Sequence, residues 1–162
     1  MDLIKELQLI SIRGRVAYAT ICVDTLCKRW EIKSFTMNKF INEMKNFTHT
    51  INIEEWDLII RSYLPDEDTL EDYAFTFGYK TLSLDKQQVM FNVFEEFIDV
   101  GQGNMYSAYD SEITLEPLMN LIQILQENDI ELPDIMPFKK SKATEQDGWG
   151  NPVSYEYFQS NE

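Results

Sequence analysis

The 162 residues predict one mainly α-helical domain of about six helices that ends in an irregular, aromatic C-terminal arm. Three observations lead there. Apolar residues recur at spacings of three and four along most of the chain, the repeat of helices with one buried face. Proline, glycine and short polar residues interrupt the repeat where helices would start and stop. Alternation of period two occurs once and weakly, over Tyr79-Lys80-Thr81-Leu82-Ser83-Leu84, so one short strand, or a single strand pair at most, is expected.

A first helical segment runs from Leu3 to Ile10, and Gly14 is expected to separate it from the second. Between Arg15 and Ile32 the residues Val16, Ala19, Val23, Leu26, Cys27 and Trp30 form an amphipathic stripe. Met37, Phe40, Ile41, Met44 and Phe47 repeat it in a third helix. Asn52 followed by Glu55 resembles a capping box, with Ile53, Trp56, Ile59, Ile60 and Tyr63 as the buried face and Pro65 as the stop. Thr69 and Asp72 start a short helix from Leu70 to Phe77, capped by Gly78, and the acids around its first turn suit the helix dipole.

Asp85 with Gln88 opens the next helix, whose apolar face is Val89, Met90, Val93, Phe94, Phe97 and Ile98 and whose end is Gly101-Gln102-Gly103-Asn104. Thr114 is the expected cap of a last long helix, with Glu116 and Pro117 in its first turn and Leu118, Leu121, Ile122 and Leu125 inward. Beyond it, Leu132-Pro133-Asp134 and Asp147-Gly148-Trp149-Gly150-Asn151-Pro152 cannot be regular helix. Phe138, Trp149, Val153, Tyr155, Tyr157 and Phe158 are nevertheless too aromatic for a free tail. The expected division is a helical body over 1–138 and an irregular arm over 139–162 packed on the same domain.

Composition narrows the function. With 44% apolar and 13% aromatic residues the chain can fill a core, and at this size roughly 68–70% of its unfolded surface can be buried. The formal net charge is -14, unevenly placed: residues 1–50 carry a net of +3, residues 51–135 a net of -16 and residues 136–162 a net of -1. Such a chain does not read as a binder of duplex nucleic acid, which needs clustered Lys and Arg; a basic partner suits it better. No apolar run approaches the roughly 20 residues of a membrane span, and the first residues lack the apolar core of a secretory signal, so a cytoplasmic protein is expected. Cys22 and Cys27 lie about 500° apart around a helix axis and should be separate buried thiols. In that compartment the Asn46-Phe47-Thr48 sequon carries no glycan.

No catalytic or metal-binding pattern is present, and neither a catalytic residue, a metal nor a cofactor is expected. His49 is alone, without a nucleophile or an orienting group signalled beside it. One His and two badly spaced Cys do not make a zinc site. Counting an EF-hand loop from Asp66 puts Leu70 at position 5 and Glu71 at position 6, where an oxygen ligand and Gly belong. Gly101-Gln102-Gly103 follows a helix rather than a strand, unlike a dinucleotide fingerprint.

What remains is electrostatics with apolar anchors, the combination by which one protein captures another. Asp66, Glu67, Asp68, Glu71 and Asp72 form the densest acidic run, with Glu54, Glu55 and Asp57 nearby in sequence and Trp149 as an aromatic anchor. Carboxylates so placed can stand in for phosphates before a basic active site. The same run also reads as a solvated helix start, and Trp149 equally as a plug of the core.

The stretch from Phe94-Glu95-Glu96-Phe97-Ile98 through Leu118 to Leu125, then Leu132-Pro133-Asp134, Phe138-Lys139-Lys140 and Gly148-Trp149-Gly150-Asn151-Pro152, resembles small bacterial immunity proteins of polymorphic or contact-dependent toxin systems. It covers roughly residues 85–153. The resemblance implies a cytoplasmic, non-enzymatic protein that binds one cognate toxin domain, a nuclease being one kind, and blocks it; it carries over no individual residue. Two other classes stay open: a homo-oligomeric adaptor or scaffold, and a metal-dependent enzyme built from scattered carboxylates.

Overall fold

The computed structural model describes residues 3–102 and 112–159. Seven α-helices lie in them: α1 (Leu3–Leu9), α2 (Ile12–Arg29), α3 (Phe35–Lys45), α4 (Ile53–Ser62), α5 (Leu70–Thr76), α6 (Leu84–Gln102) and α7 (Glu112–Glu127). A 3-10 turn, Asn46–Thr48, extends α3, and three more, Met136–Lys140, Gln146–Gly148 and Tyr155–Phe158, shape the arm. Among the described residues β pairing is limited to one antiparallel bridge, Ile10 with Lys142. No described helix is long and apolar enough to cross a membrane.

α2 is the hub. It begins at Ser11, whose Oγ accepts from the Gly14 amide, so the break after α1 falls before Ser11 and Gly14 lies inside the helix. The expected break at Gly14 is thus corrected: a side-chain acceptor starts a helix more effectively than a glycine interrupts one. Glycine is required there for close approach, since a Cβ would stand 2.5 Å from Ile10 Cγ2 and 3.3 Å from the Phe138 carbonyl. Every residue from Ser11 to Thr20 is buried, so the amphipathic stripe describes one side of a helix that the arm covers on another. α3, α6 and α7 pack around it, α6 and α7 side by side, with α1 against α7.

Three local expectations are corrected after α5. Residues 79–83 are a turn, not a strand, and Leu84 already belongs to α6. Gly78 adopts φ 76°, the Tyr79 amide returns to the Ala74 carbonyl, and the Gln87 side chain donates to the carbonyls of Lys80 and Leu82, at 3.1 and 2.9 Å. With no strand beside it, the segment satisfies its backbone locally. α6 then starts two residues early, with Ser83 rather than Asp85 accepting from a first-turn amide, that of Lys86. α7 starts at Glu112, which places Thr114 inside it; the expected loop at Gly103-Asn104 lies outside the described residues.

An aromatic cluster fixes α5 against α6. Phe40 meets Tyr63, Phe77, Phe94 and Phe97, and Phe77 lies 4.2 Å from Phe94 between ring centroids. α4 forms an outer layer on α3 through Trp56, whose Nε1 donates to the Glu43 carbonyl at 2.9 Å and whose ring stands 4.8 Å from Phe47. α6 passes close to Trp56 at Gly101, where a Cβ would stand 2.5 Å from its Cη2.

The arm is tied to the body by its backbone. The Ser11 amide donates to the Ser141 carbonyl, Ala143 to Leu9, Arg13 to Trp149 and Val153 to Thr48, all between 2.8 and 3.0 Å. Phe138 stacks on Phe158 and meets Tyr18 edge to face.

Candidate partner-binding site

Two surface features stand out, one along α6 and one on α4. The first is a cleft of about 200 Å³ lined by Asp68, Tyr73, Phe91, Glu95, Ile98 and Asp99. Thr69 sets one wall: its side chain accepts from the Asp72 amide and starts α5 just beyond Asp68. Burial, then the Asp68 carboxylate to which its hydroxyl is bonded, pushes the Tyr73 phenol up to about 12, so it stays protonated. Burial and then the charge of Glu95 hold the Asp99 carboxyl above its usual range. Glu95, Asp99 and Gln102 recur at four and three and share one face of α6. Gln102 donates to Asp57 of α4, which leads from the cleft to the second feature.

That second feature is a ledge on α4. Ile51 is 85% exposed and Leu58 69%. Ile59, expected in the core, is 39% exposed, because Trp56 and Ile60, with Ile53 and Tyr63 partly buried beside them, make the inward face of this short helix. Ile51 separates two shallow grooves. One, about 360 Å³, has Trp56 and Ile59 on its walls with Glu43, Glu55 and His49 around it; the other runs past Ile53, Glu54 and Trp149.

A buried arginine supports both sides of the ledge. Arg13 donates through Nη1 to the carbonyls of Phe47 and Thr50, at 2.7 and 2.8 Å, and through Nε to that of Gly150 at 3.2 Å. Its backbone amide holds the Trp149 carbonyl. The residues adjoining Ile51 and Trp149 therefore hang on one guanidinium.

The nominated residues separate accordingly. Of the acidic run, Asp68 lines the cleft; Asp66 and Glu67 stand exposed before α5, Glu71 is exposed on its first turn and Asp72 is half-buried there. Glu54 and Glu55 flank the ledge, one on each groove. Asp57 is committed internally, to Gln102 and to Arg61 Nε at 2.9 Å. Trp149, expected as a partner anchor or as a plug of the core, lies 6.2 Å from Phe47 and lines a groove with Ile51.

Glu95, Asp99, Ile51 and Leu58 were missed. The spacing of Glu95 and Asp99 along one side of an amphipathic helix was the available signal. Ile51 occupies the position before an N-cap where an apolar residue normally staples onto the fourth helical residue, here Trp56, yet it projects into solvent.

Cys22 and Cys27 are buried and free. His49 ends the turn after α3, exposed, with Nε2 3.3 Å from Asn46 Oδ1 rather than on terminal carbonyls. Among the described residues no group of three or more His, Cys, Asp or Glu side chains is arranged to hold a metal ion. Compared with known proteins, the sequence matches no family model, no curated protein and no solved structure.

Proposed function

We propose that this protein is a stoichiometric inhibitor, an immunity protein that holds one cognate toxin domain through its acidic face and works in the cytoplasm without a catalytic step of its own. The observation that carries the reading is the cleft. Carboxylates from two elements converge beside the rings of Tyr73 and Phe91, a lining suited to the guanidinium or ammonium of a partner. The three cations of residues 51–135 are engaged elsewhere: Arg61 on Asp57, Lys80 over the Phe75 ring and Lys86 over the Trp30 ring. The exposed acids Asp66, Glu67 and Glu71 steer the encounter, which raises association rates more than it slows dissociation. A basic nuclease is one toxin of the right charge.

The test is affinity capture at low salt from the native cells, with wild type and the triple variant Asp68→Lys, Glu95→Lys, Asp99→Lys as parallel baits. One basic protein domain held 1:1 by wild type and lost by a folded variant, and whose toxicity co-expression relieves, is the expected result. A protein held equally by both baits, or self-association alone, refutes it. Reversal of Asp66, Glu67 and Glu71 should mainly slow association.

A further inference from the structure

We infer that the α4 ledge is a docking site for a basic, amphipathic polypeptide segment, one that sets aliphatic or aromatic side chains on Ile51 and Leu58 and its Lys or Arg on the surrounding carboxylates. This deepens the proposed function and rests on it, since it adds apolar anchors to an interface whose charged contact is the acidic cleft.

The geometry makes the ledge two-natured. Leu58 lies at the centre of the outward side of α4, with Glu54 and Glu55 one turn before it, three and four residues away. Ile51 stands at the head of the same helix between grooves bordered by Glu43 and Glu55 on one side and Glu54 on the other. The cations closest in sequence do not neutralise this border: Lys45 lies over the Tyr155 ring and Arg61 is paired with Asp57. Residues 51–72 hold eight carboxylates and one guanidinium. An apolar ridge bordered by negative charge complements a segment with apolar anchors and positive flanks, the arrangement of helix-in-groove recognition. It complements a second copy of itself less well, because a self-contact would bring two negatively bordered ledges together.

The floor is prepared for such a contact. Arg13 fixes Thr50 and Gly150 on either side of Ile51, and Trp56 is held by its bond to Glu43, so the apolar groups are presented on rigid backbone. Covering Leu58 on α4 and Ile51 just before its N-cap removes apolar surface from water at each.

The experiment is a titration of the whole protein, followed by amide NMR shifts, with two short synthetic peptides of equal charge. One is an amphipathic helix of lysine and leucine, the other the same with serine for leucine. The lysine–leucine peptide should shift residues 51–59 and Trp149 and bind at least about tenfold more tightly, about 1.4 kcal/mol. Ile51→Ser with Leu58→Ser, both at solvent-exposed positions, should erase that difference. Equal binding of both peptides at Glu95 and Asp99, with the ledge unmoved, overturns this inference and leaves the acidic-face reading standing. No shift with either peptide overturns both. A concentration-dependent dimer of the wild type, lost in the double variant, would show that a second copy covers the ledge and would overturn the inference as well.

Discussion

Replacing Arg13 by methionine keeps most of the side-chain volume and removes all three guanidinium contacts to Phe47, Thr50 and Gly150. Each hydrogen bond from a charged donor contributes roughly 1.5–3 kcal/mol, and a buried carbonyl left without a donor costs about 1–3 kcal/mol. Two effects reduce the sum. Burial already lowers the guanidinium's pKa, so removing the charge relieves a desolvation cost, and Thr50 is half-buried, so water can reach its carbonyl. A net loss of about 2–4 kcal/mol follows, in line with breaking a buried charged network. For a domain of this length that is a fall in Tm of roughly 5–15 °C. Thermal unfolding followed by circular dichroism at fixed protein concentration measures it. Arg13→Lys should recover only part of the loss, because an ammonium cannot reproduce the planar fork. A methionine variant melting within about 2 °C of wild type would refute the clamp.

Three further outcomes follow from packing and charge. Gly101→Ala would gain about 1 kcal/mol from helix propensity at an open site; here the new Cβ would stand 2.5 Å from Trp56 Cη2, so the urea midpoint should fall, and a rise would contradict the packing described. Burial pushes the thiols of Cys22 and Cys27 up to about 12, so neither should react with a disulfide reagent in native buffer at mildly alkaline pH, and both should on unfolding; prompt native labelling would contradict this. The carboxyls of Glu96 and Asp99 are held above their usual range, mainly by burial and then by neighbouring acids. Their stabilising effect is complete below the unfolded pKa, about 4, and is lost as pH rises through the higher folded values. Tm should therefore rise as pH falls from neutral toward that range, helped by relief of the -14 net charge, and a steady decline would count against it.

Local chemistry was legible where a signal and its effect lie within a few residues. Asn52 accepts from the Glu55 amide and Thr69 from the Asp72 amide, as their spacing predicts. The same reasoning misplaced the break at Gly14 and the strand over 79–84. The Ile10 side chain and the Phe138 carbonyl demand a glycine in one case, and in the other Gln87 supplies the donors a neighbouring strand would have provided. Ile59 was assigned inward by periodicity, which cannot tell how wide a stripe the neighbouring helix will cover.

The order of residues alone determined that this chain folds as helices, where α1, α4 and α5 begin, that its two thiols are not a pair, and that negative charge gathers in its middle. These follow from short-range periodicity, capping and counting. Tertiary structure decided which carboxylates meet. Asp68 joins Glu95 and Asp99 across α5 and α6, while Asp57 turns away to Gln102 and Arg61. It also decided that Arg13 would hold Thr50 and Gly150 beneath an exposed ledge, a contact across 137 positions to Gly150. Such meetings depend on how whole helices pack, and packing is set by shape and buried area summed over the molecule rather than by any residue's neighbours in sequence.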